Sequence, residues 1–285
     1  MSQVSVIIPT MKGREDMLKR LISTLPSECE TIVVDDEDLL LAGKRNKGAR
    51  LSKGKYLFFI DDDNYLKDKE HVYRMMDACA AEEVGVVGMT ACYDDKKLIV
   101  ADGGSKRDYL TGFTEGINTN KRIYEIDTHI GKFTGFDFET YDVDEVANAF
   151  MIRRDVFEAV GGLDEENFPI DLDEADICKR IKDMGYRIVM NPRAICYHKS
   201  QTYSHIPNFR RPMNAYFMGR NRVLYQRKHN SHLRYGVYFV FFMPVFVLYY
   251  AASLVYRKKP LMIVHFVKGV IDGILGRKQN KYQKR

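Results

Sequence analysis

Residues 42–64 read AGKRNKGARLSKGKYLFFIDDDN, and this stretch decides the fold class. A basic, glycine-containing segment leads into an apolar run, Tyr56–Ile60, which has the length and composition of a β-strand covered on both faces. Three acids, Asp61–Asp63, follow that run directly. The stretch therefore predicts a buried strand that carries carboxylates to the edge of a sheet.

Similar apolar runs occur on both sides of this stretch. Val4–Ile8, Thr31–Val34 and Val84–Met89 are four to six residues long and are rich in valine and isoleucine. A helical spacing of apolar residues over 16–25 separates the first two runs. Alternation of strand and helix predicts an α/β fold with a parallel sheet, whose ligands bind at the carboxyl ends of the strands.

Acids lie where such a sheet would bind its ligand. Asp35 and Asp36 follow Thr31–Val34, as Asp61–Asp63 follow Tyr56–Ile60. Carboxylates at these ends could hold a hard divalent ion, although the same residues would also occur in a solvent-exposed acidic turn. Arg45 precedes the acids and could pair with phosphate, so a cation, carboxylates and a diphosphate would meet at one edge.

A further acidic cluster covers residues 171–176. The residues after it predict a helix over about 174–184, with Asp173 as its N-cap and Gly185 as its end. This cluster therefore also stands at the start of a secondary-structure element.

The charge of the chain is unevenly distributed. The net charge is +5, but residues 201–285 contain sixteen Lys and Arg and a single acid, Asp272. This asymmetry favours an anionic partner for the C-terminal part, such as anionic membrane lipid. The five cysteines form no CxxC pair, which argues against a structural zinc site and indicates a reducing compartment.

A long uncharged segment lies inside this basic region. Tyr235–Tyr256 contains no charged residue and is long enough to cross a membrane, with a buried core helix as the alternative. Leu261–Leu275 predicts an interfacial amphipathic helix. Positive charge flanks both ends of the first segment, so a hairpin broken at Pro244, a re-entrant segment or two spans are favoured over one crossing.

Four blocks of the sequence, in this order, resemble the family 2 glycosyltransferases of the GT-A fold across roughly residues 3–228. They are VSVIIPT at 4–10, TIVVDDED at 31–38, the stretch 42–64, and the region from Phe150 to His198. The last block resembles the membrane-associated rhamnosyltransferase-like members. The resemblance implies a Rossmann-like nucleotide-diphospho-sugar transferase domain over 1–230, with a donor and metal half at 1–100 and an acceptor and catalytic half at 101–230. Residues 231–285 would form a membrane-associated helical appendage.

The resemblance also implies where the donor and a metal bind. The residues expected to hold the nucleotide-sugar are Pro9, Thr10, Asp35, Asp36, Arg45, Asp61 and Asp62. Asp61 and Asp63 are the ends of a DXD motif, and Asp63 is the expected direct ligand of Mg²⁺ or Mn²⁺. His198 would complete the metal site or contact the diphosphate.

The catalytic base implied by the resemblance is Glu174, with Asp173 as the second candidate. The expected reaction is inverting and metal-dependent: one sugar passes from a nucleotide-sugar to a lipid-linked or glycan acceptor at the cytoplasmic membrane face. Transfer to a polyprenyl phosphate is an alternative. The chain has no tryptophan and no QxxRW motif, which argues against a processive synthase. No nucleic-acid-binding motif is present, so we expect no nucleic-acid partner.

Overall fold

The computed structural model describes residues 3–94, 99–123, 140–199 and 211–278. The strands are β1 Val4–Pro9, β2 Glu30–Val34, β3 Tyr56–Ile60, β4 Asn64–Leu66, β5 Val84–Tyr93, β6 Val100–Asp102, β7 Ser105–Arg107, β8 Thr114–Gly116, β9 Tyr141–Asp142, β10 Ala149–Arg153 and β11 Arg187–His198. The helices are α1 Glu15–Ser23, α2 Leu41–Leu51, α3 Glu70–Cys79, α4 Arg154–Ala159, α5 Asp173–Asp183, α6 Pro212–His229, α7 His232–Tyr256 and α8 Leu261–Ile274.

The central sheet is mixed, with strand order β2-β1-β3-β10-β5-β11-β4. The expected parallel pairing is confirmed for β1 with β2 and with β3, and β5 and β11 are also parallel. β10 lies antiparallel between β3 and β5, which the alternation of strand and helix did not predict. The fold is therefore α/β, with helices packed on both faces.

The four predicted strands differ in their burial. β1, β3 and β5 are buried along their whole length, as their apolar composition predicts. β2 is an edge strand, and Thr31 and Val33 are exposed on one of its faces. The expectation that β2 is covered on both faces is wrong, because these two side chains are exposed.

The chain after β3 brings the three aspartates next to the end of β11. After Ile60 it turns through Asp61–Asp63 and continues as β4, which pairs antiparallel with β11. In this register Asn64 lies opposite His198. Sheet pairing therefore places His198 beside the aspartates although 135 positions of sequence separate it from Asp63.

Helix α5 starts one residue earlier than predicted. Asp173 is its first helical residue and not its N-cap, since Leu172 precedes the helix. Asp171 and Leu172 both have left-handed backbone angles, with φ of 66° and 64°. The side chain of Asp173 is directed into the core instead of capping the helix. The helix ends before Gly185 (φ 94°), as predicted.

The C-terminal region is helical, as predicted, but it is not broken at Pro244. α7 continues through Pro244 after a π-helical turn at Tyr238–Phe242. The missing N–H of proline removes an i to i−4 hydrogen bond, which explains a local change of helical geometry just before it. The chain reverses at 257–260, and α8 follows.

Helix α8 packs closely on α6 through glycines. A Cβ atom on Gly269 would lie 2.0 Å from the carbonyl oxygen of Tyr216, so only glycine allows this approach. Asp272 on α8 is buried and accepts a hydrogen bond of 2.9 Å from the Tyr216 hydroxyl. The C-terminal helices therefore share a core with α6.

Candidate active site

A cavity of about 240 Å³ opens at the carboxyl ends of β1 and β3. Its lining residues come from the end of β1, from four loops and from helices α2 and α6: Pro9, Thr10, Met11, Arg14, Leu39, Leu40, Leu41, Lys44, Asp61, Asp62, Asp63, Ile170 and Met213. Its position agrees with the rule that ligands of open α/β sheets bind beyond the carboxyl ends of the strands. The cavity combines apolar walls with carboxylates and two cationic side chains.

A single guanidinium joins the acids of two distant segments. Arg45 on α2 is fully buried, and its Nη2 donates to Asp61 Oδ1 at 2.8 Å. Its Nη1 donates to Asp173 Oδ2 at 2.8 Å and to Glu174 Oε1 at 2.7 Å. We call Arg45, Asp61, Asp173 and Glu174 the acid-rich cluster. The guanidinium of Arg45 is enclosed by these three acids, and its contact with a nucleotide stays a prediction.

The three carboxyl groups of the acid-rich cluster have different pKa values. Burial and the neighbouring charge of Glu174 raise the pKa of Asp173 well above its usual value. Burial also opposes ionisation of Glu174, but the charge and hydrogen bond of Arg45 outweigh it and lower its pKa. Burial raises the pKa of Asp61 to about 6 despite Arg45. Glu174 is thus the member that stays ionised most readily, and at 14% exposure it is more accessible than Asp173 at 0%.

Asp63 and His198 form a pair at the edge of the cavity. His198 Nε2 lies 3.5 Å from Asp63 Oδ1. Burial lowers the tendency of His198 to be charged, but the Asp63 carboxylate more than offsets this and raises the His198 pKa. Burial opposes ionisation of Asp63, and His198 and Arg14 together lower its pKa. Among the described residues no group of three or more His, Cys, Asp or Glu side chains could hold a metal ion on its own.

Asp62 lines the cavity, yet its carboxylate already has partners. Thr10 Oγ1 donates to Asp62 Oδ2 at 2.7 Å, and Arg14 donates to Oδ1. The Asp62 side chain is 2% exposed. Pro9, Thr10 and Asp62 all line the cavity, and binding of the nucleotide-sugar by these residues stays a prediction.

Asp35 and Asp36 lie at the carboxyl end of β2 but do not line the cavity. Asp36 pairs with Lys47 Nζ at 2.7 Å, and Asp35 is exposed. The structure thus brings Asp61, Asp62, Asp63, Asp173, Glu174 and His198 together and leaves these two acids outside.

Three residues of the site were not found from the sequence. Arg14 and Lys44 line the cavity, and the Lys44 Nζ donates to the carbonyl of Thr10. Asp102 ends β6, and its carboxylate accepts from the Gly104 amide at 2.8 Å and from Asn148 at 3.2 Å. Burial and the nearby Glu174 raise its pKa. An acid at a strand end before two glycines was the signal available for Asp102.

Helix α6 supports the loop in front of α5. Asn221 is buried, and its Nδ2 donates to the carbonyls of Ile170 and Asp171 at 2.8 and 2.7 Å. These bonds hold the left-handed residues Asp171 and Leu172, a conformation that costs about 1–3 kcal/mol per residue. Strained backbone is thereby maintained directly before Asp173 and Glu174.

Comparison with solved structures shows the fold. The mannosyltransferase PcManGT from Pyrobaculum calidifontis, solved in complex with GDP-Man and Mn²⁺, superposes with a TM-score of 0.53 at 12% identity and covers 96% of this chain and 88% of its own. GalNAc-T7, solved with UDP, GalNAc and Mn²⁺, gives the same TM-score and identity over 71% of this chain and 45% of its own.

Comparison of sequences finds similarity over about half of the chain. A curated relative, the uncharacterized protein y4gI of Sinorhizobium fredii, is 24% identical over 153 residues, or 54% of this chain, and the match spans 16% of that relative's length. Residues 37–161 match the family model described as Glycosyl transferase family 2, a range that contains Arg45 and Asp61–Asp63. Residues 37–161 are therefore similar to the family 2 glycosyltransferases, and the fold of the chain is the GT-A fold of the solved glycosyltransferases.

Proposed function

We propose that this protein is an inverting, metal-dependent, non-processive glycosyltransferase that moves one sugar from a nucleotide-sugar to a hydroxyl of a lipid-linked or glycan acceptor at the cytoplasmic face of a membrane. The observation that carries the proposal is the acid-rich cluster, in which Arg45 ties the first acid after β3 to the two acids at the start of α5. Asp61 lines the cavity, and Arg45 connects it to Asp173 and Glu174 at the start of α5.

Glu174 is the proposed general base. A base must be ionised before it accepts the proton of the attacking hydroxyl, and Arg45 lowers the pKa of Glu174. Asp173 is fully buried with a raised pKa, so it is poorly suited to this role. Asp173 instead accepts from Arg45 and helps to fix the guanidinium against Glu174.

Asp63 and His198 are suitable ligands for a divalent cation. A carboxylate and an imidazole lie 3.5 Å apart at the cavity edge, and oxygen and nitrogen donors suit Mn²⁺, with carboxylate oxygen also suiting Mg²⁺. Two protein ligands leave positions for the oxygens of the donor diphosphate. The ion would neutralise the negative charge that the leaving diphosphate gains.

Two cationic side chains contribute to the same charge balance. Arg14 and Lys44 line the cavity next to the three aspartates, and Arg14 lies 3.6 Å from Asp63 Oδ2. Positive groups fixed in a partly dehydrated cavity stabilise charge that develops on a leaving group. The GDP-Man, UDP and Mn²⁺ named for the structural neighbours support a nucleoside diphosphate as this leaving group.

The acceptor is proposed from the base and from the C-terminal helices. A hydroxyl acceptor must lose a proton, which gives Glu174 its role, whereas a polyprenyl phosphate would attack without one. A membrane location is supported by α7, the one helix in the described ranges that is long and apolar enough to cross a membrane. Basic residues flank it on both sides.

Nucleoside diphosphate release tests the proposal. Membranes that contain the protein are incubated with a panel of nucleotide-sugars, with Mn²⁺ or Mg²⁺, and with or without lipid extract as the acceptor source. We expect release with one class of donor, complete loss with a chelator, and a loss of at least about 10²-fold in Asp63→Asn.

The matched control is Asp77→Asn, which removes an exposed carboxylate on α3. It is expected to keep the parent rate. Absence of turnover with every donor, or an equal loss in both variants, would contradict the proposed function.

A further inference from the structure

Helix α7 has a buried stripe along most of its length. Tyr238, Phe246, Tyr250 and Leu254 follow each other at multiples of four residues, and all are at most 7% exposed. Phe246, Tyr250 and Leu254 pack in one apolar cluster with residues of α6 and α8. Side chains four apart occupy one face of a helix, so a single face of α7 rests on the rest of the protein.

A cation lies beneath the middle of this stripe. Arg222 on α6 stands over the rings of Phe246 and Tyr250, at 5.2 and 5.6 Å. Its Nη1 donates to the carbonyl of Gly112 at 3.1 Å, and its Nη2 lies 3.3 Å from the Tyr250 hydroxyl. The centre of the apolar segment is therefore fastened to the glycosyltransferase domain through a charged side chain.

The opposite face of α7 carries an exposed apolar stripe. Phe241 is 65% exposed, Val245 53%, Leu248 70% and Val255 59%. Spacings of three, four and seven residues put these side chains on one helix face. This stripe lies away from the residues that pack against α6.

Helix α8 has the same two-sided character. Phe266 and Val270 pack in the cluster with α6, while a second set of large apolar side chains is exposed at spacings of three, four and seven: Leu261, Val264, Ile271 and Leu275. Most of the exposed large apolar side chains in the described ranges lie on α7 and α8. An apolar surface of this extent indicates a contact with an apolar partner.

Cationic side chains surround these stripes. The exposed ones are Arg234 at the start of α7, Lys258 in the turn, Lys268 on α8, and Arg277 and Lys278 after α8. Long basic side chains beside an apolar helix face are typical of helices that lie in the headgroup region of anionic membranes. A protein partner would need both this large apolar area and many acids, whereas an anionic bilayer offers both.

We propose that α7 and α8 attach the enzyme to one leaflet, with their exposed stripes in the lipid and α7 parallel to the membrane plane, and that α7 does not cross the bilayer. The proposal rests on the proposed membrane location and decides between the topologies that the sequence left open. To cross, α7 would have to leave its packing on α6 or carry Arg222 into the hydrocarbon, where a charged group is strongly disfavoured.

Vesicle flotation tests the attachment. Full-length protein is mixed with vesicles of phosphatidylcholine and phosphatidylglycerol, and the bound fraction is compared with that of Leu248→Glu and Val264→Glu. Each substitution is expected to reduce binding at least tenfold, because each places a carboxylate in the apolar stripe. Leu51→Glu on α2, where Leu51 is 58% exposed, is the matched control and is expected to bind as the parent does.

Cysteine labelling tests the topology. Ser231→Cys and Lys258→Cys place thiols at the two ends of α7, and a membrane-impermeant maleimide is added outside the preformed vesicles. Both sites are expected to react before detergent is added, as is Lys121→Cys on the glycosyltransferase domain. Protection of Lys258→Cys until detergent is added would show a crossing and overturn the proposal, as would unchanged binding of the two glutamate variants.

The outcomes separate this proposal from the proposed function. Vesicle binding without donor turnover would leave the attachment standing and remove the enzymatic proposal. Donor turnover by a protein that does not float with vesicles would support the enzymatic proposal and overturn the proposed attachment. Nucleoside diphosphate release in detergent by Leu248→Glu and Val264→Glu, at a rate within about twofold of the parent, shows that these variants are folded.

Discussion

Helix α5 takes part in two buried ion clusters of opposite composition. In the acid-rich cluster one cation, Arg45, serves three carboxylates. Three residues after Asp173 on the same helix, the carboxylate of Asp176 contacts three basic side chains. They are Arg180 Nε at 2.8 Å, Lys228 Nζ at 2.6 Å and His229 Nε2 at 2.8 Å. We call this second group the base-rich cluster.

The charge balance of the two clusters indicates which of them has a carboxylate that can accept a proton. Asp176 is fully buried, and its pKa is lowered because His229, Arg180 and Lys228 outweigh the effect of burial. Its charge is balanced by these three partners, and it joins α5 to α6. In the acid-rich cluster the negative charge exceeds the positive, and Asp61 and Glu174 remain partly accessible. Such an imbalance is costly for folding but gives one carboxylate that can accept a proton.

The largest expected effect comes from removal of the shared cation. Arg45→Met leaves three acids without a counter-charge, so we expect the free energy of unfolding to fall by about 3–5 kcal/mol. Turnover per folded molecule should fall at least about 10²-fold, since Glu174 loses the charge that keeps it ionised. Urea denaturation and nucleoside diphosphate release measure the two effects. Arg50→Met, on the exposed side of the same helix, should change neither.

A substitution in the base-rich cluster should lower the stability of the protein without lowering its turnover. Asp176→Asn leaves Arg180, Lys228 and His229 facing a neutral amide, and we expect a loss of about 3 kcal/mol in the free energy of unfolding. Asp183→Asn, which removes an exposed partner of Lys179 on the same helix, should cost less than about 0.5 kcal/mol. If the two variants lost similar amounts of unfolding free energy, the buried ion pairs of Asp176 would stabilise the protein no more than the exposed pair of Asp183.

Acid should weaken the base-rich cluster in a defined pH window. The folded-state pKa of Asp176 is lower than its usual value, so its contribution is present above about pH 4 and is lost as the pH falls through the folded pKa. Thermal unfolding followed from pH 6 to pH 3 should therefore show a shallower decline in Asp176→Asn than in the parent. Parallel curves would contradict the lowered pKa.

The smallest expected effect is that of Asp61→Asn. Asp61 makes the stability of the protein fall as the pH rises, which is the opposite of the effect of Asp176. Asp61 has a folded-state pKa of about 6, so the folded protein holds more protons than the unfolded chain between about pH 4 and 6, and stability falls as pH rises through that range. Asp61→Asn should remove this decline and lie within about 1 kcal/mol of the parent at pH 8. A loss as large as that of Asp176→Asn would show that the two clusters are alike.

The sequence predicted the parts of the site that lie next to local patterns. The apolar run before Asp61–Asp63 predicted a buried strand, which is confirmed. The helix pattern predicted a helix after the acidic cluster, whereas the roles of Glu174 and Asp173 came from the family resemblance and stay predictions. The pairing of these segments through Arg45 was not predicted, because residues that are 128 positions apart leave no periodic signal.

The same limit applies to the C-terminal helices. Length and composition showed that Tyr235–Tyr256 is apolar, but they cannot show which of its faces packs against the protein, since that depends on long-range contacts such as those of Arg222. The antiparallel insertion of β10 also follows from long-range pairing alone.

The most direct test measures the turnover of Glu174→Gln and Asp176→Asn side by side, each corrected for its folded fraction. We expect Glu174→Gln to lose about 10²–10⁴-fold in sugar transfer while keeping its thermal stability. We expect Asp176→Asn to keep its turnover within about threefold while losing stability. Equal losses of turnover in the two variants, or full activity in Glu174→Gln, would contradict the assignment of Glu174 as the base.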